Sequence, residues 1–303
     1  MAKTIEMPTS PNFVKSEFRL IRTVGAISSP YTGKVRTQEY DGVFWEAVVS
    51  LPPMRRSEAV NWQSFLLKLN GPVNQFKFAD PDALVKQGTY SGAQFKTENR
   101  TNESSATLSF TASSGTIAGA SSTTYFNNTK VGDYIVITGS ANSANNGTHK
   151  VLTRSNAYTI TVAPVDADSL VDESNKSGCT IKCNVKGAKG LCLRSTANSH
   201  NGTVLVGDYL GTSTDTSDNA SGYKPTQYLY VTEAATQTNN GGSAQNQYGV
   251  RVEPKLRSTL AANSRVYLTP AKGMFRLIAA DAAGWDADNI SNYGISFSCV
   301  EVV

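Results

Sequence analysis

Lys130-Val131-Gly132-Asp133-Tyr134-Ile135 recurs 75 residues later as Leu205-Val206-Gly207-Asp208-Tyr209-Leu210. Each copy leads into a second apolar run, His149 to Leu152 and then Tyr228 to Val231. Each reaches a third run that closes in Val-x-Pro, at Pro164 and at Pro254. A phrase repeated in this order marks a supersecondary unit used twice. In each copy Gly permits a tight turn, Asp bonds nearby backbone, and Tyr opens a strand. Gly132, Asp133, Gly207 and Asp208 are therefore read as turn formers, with no role in catalysis or metal binding.

Composition agrees with a β-rich, non-catalytic chain. Of 303 residues, 39% are hydrophobic and only 17% charged, and 24 are glycine. Ser, Thr, Asn and Gly fill the shortfall in charge, which suits turn-rich β-structure better than helical bundles. Basic residues number 28 against 24 acidic, a net charge of +4 with no basic block, so nucleic-acid binding is not indicated. The four cysteines, Cys179, Cys183, Cys192 and Cys299, form no CxxC, and there are two histidines. A zinc site is not expected, and the cysteines read as small buried residues. The start of the chain lacks the apolar core of a signal peptide, and no apolar stretch reaches the roughly 20 residues of a membrane span. Synthesis and folding in a cytoplasm are expected.

Outward from the repeat, the chain reads as mainly β: an α+β domain with a β-sandwich and one helix, plus two small β-barrel or β-sandwich modules. Residues 1–95 plus 273–303 form the first domain. Strands are predicted at Phe18 to Val24, Val35 to Tyr40 and Val43 to Leu51, the last stopped by Pro52-Pro53. Ser57 reads as a helix N-cap. Val60, Trp62, Phe65, Leu66 and Leu69 follow at near-helical spacing, and Gly71-Pro72 ends the helix. Phe76 and Phe78 alternate on a short strand, and Trp45, Trp62, Phe65, Leu66, Leu69, Phe76 and Phe78 are the expected core. Residues 96–184 are an inserted β module and residues 185–272 a second one. A C-terminal strand carrying Ile295, Phe297 and Cys299 should return to the first sheet.

The search for chemistry yields little. Gly187 to Gly190 lacks the Lys-Ser/Thr of a phosphate loop. His149 and His200 are read as loop residues without a nucleophile. The pairs Asp80/Asp82, Asp166/Asp168 and Asp286/Asp288 have the spacing of turn formers more than of paired catalytic acids. Asp286-Ala287-Asp288-Asn289 lacks the glycine and glutamate of a calcium loop. No enzyme activity, cofactor or metal is expected. Tyr223, Tyr228 and Tyr248 are candidates for stacking on sugars if exposed.

Three stretches carry a resemblance: Ser29-Pro30-Tyr31-Thr32-Gly33-Lys34-Val35-Arg36-Thr37-Gln38-Glu39-Tyr40, Trp45-Glu46-Ala47-Val48-Val49-Ser50-Leu51-Pro52-Pro53-Met54, and the helix with Trp62 and Leu69 running to Phe76-Lys77-Phe78-Ala79-Asp80-Pro81-Asp82. Together they resemble the distal tail proteins of long-tailed bacteriophages, including the type related to gene transfer agents. The second module and Gly273-Met274-Phe275-Arg276-Leu277 also fit that family, while residues 96–184 are extra. The resemblance implies a belt domain with a tail-tube-like sandwich, six copies of which close a ring at the virion tail tip. Its implied partners are further copies of the chain and the tail tube, hub and tape-measure proteins, with assembly in the host cytoplasm. Another minor tail or baseplate adaptor protein, or a module binding host-surface glycans, is the alternative.

Overall fold

The computed structural model describes residues 2–81, 84–214, 224–238, 245–288 and 292–302. In chain order the strands are β1 (Lys15–Ser28), β2 (Val35–Ser50), β3 (Met54–Arg55), β4 (Phe76–Phe78), β5 (Gln94–Thr97), β6 (Asn102–Thr111), β7 (Thr116–Ala118), β8 (Tyr134–Thr138), β9 (Gly147–Arg154) and β10 (Thr159–Pro164). They continue as β11 (Glu173–Lys182), β12 (Gly190–Ser195), β13 (Tyr209–Ser213), β14 (Pro225–Val231), β15 (Thr236–Thr238), β16 (Gln247–Glu253), β17 (Arg265–Tyr267), β18 (Gly273–Leu277), β19 (Ala283–Ala287) and β20 (Asn292–Glu301). The α-helix α1 (Arg56–Leu69) lies between β3 and β4. The fold is mainly β, with one α-helix among the described residues.

The chain divides into two compact units. The first is Met1–Leu84, Pro225–Tyr228 and Ala271–Val303; the second is Val85–Lys224 and Leu229–Pro270. Residues 96–184 and most of 185–272, read from sequence as separate modules, thus fall in one unit. The expected boundary at residue 96 lies inside β5.

In the first unit a sheet runs β1-β2-β20-β18-β4, with β3 and β19 also paired to β20. The C-terminal strand does return: Ala47 is opposite Cys299 and Val49 opposite Phe297. The two strands expected at 35–40 and 43–51 are one. Gly42 lets β2 run on, because a side chain there would lie 2.8 Å from Thr23 Oγ1, which instead donates to the Gly42 carbonyl. A register shift between Arg22 and Val24 absorbs the irregularity.

Helix α1 starts earlier than Ser57. Its N-cap is Arg55, with extended backbone and no side-chain cap bond. The reason is that β3 pairs with β20 through Arg55, so the sheet itself delivers the chain into the first turn. Asn70, left-handed at φ 51°, closes the helix by donating its N–H to the Leu67 carbonyl.

Trp62, Phe65, Leu66 and Leu69 turn inward, and Phe76, Phe78, Phe275 and Phe297 meet them from the sheet. Trp62 is 1% exposed, stands edge-on to Phe13 and Phe65, and donates its Nε1–H to the Ser10 carbonyl at 3.0 Å. Trp45 is also buried. Its Nε1–H donates to the Tyr228 carbonyl at 2.8 Å, while buried Glu301 accepts from the Trp45 and Tyr228 backbone N–H groups.

The second unit holds two rings of strands. One is a closed barrel, β10-β7-β6-β11-β8-β9. The other runs β12-β5-β17-β13-β14-β16, with β15 alongside, and the pairing of β12 with β16 closes it. Taken in chain order, β6, β7, β8, β9, β10 and β11 have the same neighbours in their ring as β5, β12, β13, β14, β16 and β17 have in theirs. The repeated words open equivalent third strands, β8 and β13. The first barrel is inserted between the first and second strands of the other.

Replacing Trp62 by Ala removes the indole from this aromatic cluster, and the cavity cost is roughly 3 to 5 kcal/mol. Thermal melting of Trp62→Ala should show a large loss of stability. A melting temperature equal to the parent's would refute the packing described.

Candidate functional site

The two Gly-Asp turns are superposable in their bonding. Gly132 and Gly207 have φ of 88° and 97°, where a side chain is strained. Gly132 N–H donates to the Val151 carbonyl at 2.8 Å, and Gly207 N–H to that of Val231 at 3.2 Å. In return Val151 and Val231 donate to the carbonyls of Asp133 and Asp208. Each aspartate accepts from the backbone three residues before it: Lys130 N–H to Asp133 Oδ2 and Leu205 N–H to Asp208 Oδ2, both at 2.8 Å.

The copies differ in what meets the other carboxylate oxygen. At Asp208 it is the Gln87 N–H, 2.6 Å from Oδ1. At Asp133 it is Arg100, with Nη2 2.7 Å from Oδ1 and Nε 3.0 Å from Oδ2. Burial pushes the Asp133 carboxyl up from its usual range, and the Arg100 charge and the Lys130 N–H draw it back. Arg100 also reaches Glu98 and the carbonyls of Leu193 and Tyr248. Both side chains are out of water, so the pair is strong only while intact.

This turn sits on the neighbouring barrel. A side chain at Gly249 would strike the Gly132 carbonyl, and one at Gly190 would strike the Tyr134 ring. Around this seam Glu233 pairs with Lys150 and Arg251, and Asp166 with Lys189. Hydrogen bonds from Lys150 and Arg251 pull the Glu233 carboxyl down against the effect of burial, and the Thr148 N–H and Lys189 do the same for Asp166. These charges hold structure together.

Other sequence candidates separate. His149 is not in a loop: it lies on β9, buried, with Nε2 3.0 Å from the Asn145 carbonyl and no partner at Nδ1. The closed barrel turns this alternating position inward. His200 remains in a loop, with Nδ1 2.9 Å from Thr196 Oγ1. Tyr228 and Tyr248 are 0% and 1% exposed, so neither offers a ring face to a sugar; Tyr223 lies outside the described residues. Asp82 and Asn289 also lie outside them. Asp288 accepts from Asn292 N–H at 2.8 Å, as a turn former does. The four cysteines are free and buried. Among the described residues no group of three His, Cys, Asp or Glu is placed to hold a metal ion, and no helix is long and apolar enough to cross a membrane.

What sequence reasoning missed is the outer half of the β1–β2 hairpin. Among the described residues, the part beyond Val43 is paired only to itself, since β20 covers β2 only from Glu46 to Ser50. It exposes Val24 at 49%, Ile27 at 76%, Tyr31 at 96%, Val35 at 60% and Tyr40 at 48%. A two-stranded ribbon with apolar side chains in water has no core of its own. The alternation of Val24, Ala26, Ser28 with Gly25 and Ile27 was the available signal, because it places apolar residues on both faces.

Compared with known proteins, the chain matches no protein-family model and no curated sequence.

Two outcomes are expected. Asp133→Ala removes the buried carboxylate and leaves the Arg100 guanidinium with Glu98 as its charged partner, and should cost roughly 3 to 5 kcal/mol, whereas Asp208→Ala removes backbone hydrogen bonds and should cost about 1 to 3 kcal/mol. Urea midpoints of the two variants decide this, and equal losses would refute the asymmetry. The second concerns acid. Burial holds the His149 imidazole below its usual 6.5, so the folded chain keeps it neutral while the unfolded chain takes up a proton. Stability should therefore be level above about pH 7 and fall as the pH drops through about 6.5. Urea midpoints for the parent and His149→Gln across pH 8 to 5 test this. Identical slopes in that window would exclude His149 as the cause.

Proposed function

We propose that this chain is a structural subunit of a virion tail tip, acting as a ring protein of the distal tail type that joins the tail tube to the baseplate hub. The observation that carries the reading is the exposed β1–β2 ribbon. It puts five large apolar side chains in water, on a strand pair that no other described residues cover. Such a surface is stabilised by a neighbour, and in a ring every copy supplies one. The resemblance in residues 29–54 and 62–82 points the same way, since it covers this hairpin and the helix behind its sheet.

The second unit supports an assembly role. Its repeated motif bonds backbone, and Arg100 with Asp133, Glu233 with Lys150 and Arg251, and Asp166 with Lys189 are paired around the seam between barrels. The tail tube, hub and tape-measure proteins are the partners implied, and the virion tail tip the location.

The full chain should form a closed ring of about six subunits, the number the resemblance implies for a cyclic assembly. Mass measurement at high concentration and negative-stain microscopy are the checks. Ile27→Asp should keep the parent's melting curve and lose the ring, because Ile27 touches solvent in the single chain. A parent that stays monomeric at every concentration, with no ring in tail particles, would overturn the reading.

A further inference from the structure

We infer that the projecting hairpin of one copy docks on the β19 edge of a second copy, so that the sheet of the first unit continues from subunit to subunit. The inference rests on the ring reading above and names the surface that the ribbon meets. Among the described residues, β1 is the terminal strand of its sheet, and β19 lies on the far side of β20 and pairs with β20 alone. The two unpaired edges belong to opposite sides of one sheet. A contact between them is head-to-tail, the kind that closes a ring by rotation. Each edge presents a row of backbone donors and acceptors able to pair with another strand.

The side chains match. Near β19, Trp285 is 44% and Ile278 46% exposed. Between residues 278 and 288 the chain carries Asp281, Asp286 and Asp288 and no cation. In the hairpin Arg36 lies opposite Ile27 and Val35 opposite Ser28, with Tyr31 and Lys34 in the turn that joins them. Cations and apolar side chains on the ribbon thus meet acids and an indole on the edge. Five large apolar side chains exposed on one ribbon make a patch, unlike the singly scattered apolar residues of an ordinary surface. The register favours this use: the outer half of β1, Val24 to Ser28, is as long as the five residues of β19.

Cross-linking and charge exchange test the contact on the full chain. Ile27→Cys combined with Ala287→Cys in one chain, oxidised under assembly conditions, should give a covalent ladder of subunits. Ile27→Cys combined with Leu67→Cys, on the outer face of α1, should give none. Arg36→Glu and Asp286→Lys should each weaken association about tenfold, by placing like charges together, and the two changes in one chain should restore it. Rings that form without the Ile27–Ala287 ladder, or a ladder from the Leu67 variant instead, would overturn this contact and leave the ring reading standing. Absence of any ring from the parent would overturn both.

Discussion

Arg100 stands where the chain leaves one barrel to build another, and the second unit depends on it. The inserted barrel begins after β5 and must return the chain to β12, so two segments cross one dry seam. Their backbone groups cannot reach water and must be paired inside. Arg100 serves the carbonyls of Leu193 and Tyr248 and the carboxylate of Asp133. Asn184, left-handed at φ 54°, serves the returning segment: its Nδ2 donates to the carbonyls of Glu98 and Cys192, and its Oδ1 accepts from Cys192 N–H. With these groups satisfied, the barrels can share apolar contacts. Val136 of one packs into the core of the other, and Cys192 packs the opposite way.

The same constraint explains why two copies of one motif diverged. Both aspartates cap their own turn by the same backbone bond. Asp208 then meets a backbone N–H, a neutral partner suited to a single crossing. Asp133 lies at the double crossing, where one donor would leave carbonyls of two other strands unpaired, and a guanidinium with five N–H groups meets all of them. Glycine follows the same logic. Gly190 and Gly249 are needed because another strand's backbone or ring lies where their side chains would be.

In the first unit the controlling fact is an uneven sheet. Its centre is covered by α1 and a cluster of aromatic rings. Its longest strands run past that cover into water as a ribbon, and its β19 edge carries acids around a half-exposed tryptophan. Apolar surface left in this way is unfavourable for a lone chain and useful to an assembling one. Among the described residues, Asp133, Asp166, Asp208 and Glu233 are engaged in turns and in the seam between barrels.

Much of this was determined by local sequence. Alternation and turn residues named the strands, the spacing of Trp62, Phe65, Leu66 and Leu69 named the helix and its buried face, and the Val-Gly-Asp-Tyr repeat named two related modules. These signals are local because a tight turn, a helical face and a strand period each need only a few consecutive residues. Sequence misread what depends on distant neighbours. His149 looked like a loop residue until barrel closure turned it inward. Tyr228 and Tyr248 looked available until other strands covered them. Val35 to Tyr40 and Val43 to Leu51 looked like two strands until pairing with β1 joined them into one. The division into three domains, the partner of Asp133 and the exposed ribbon were likewise decided by tertiary structure. Burial and pairing belong to groups brought together across tens or hundreds of residues, and no local pattern records which groups will meet.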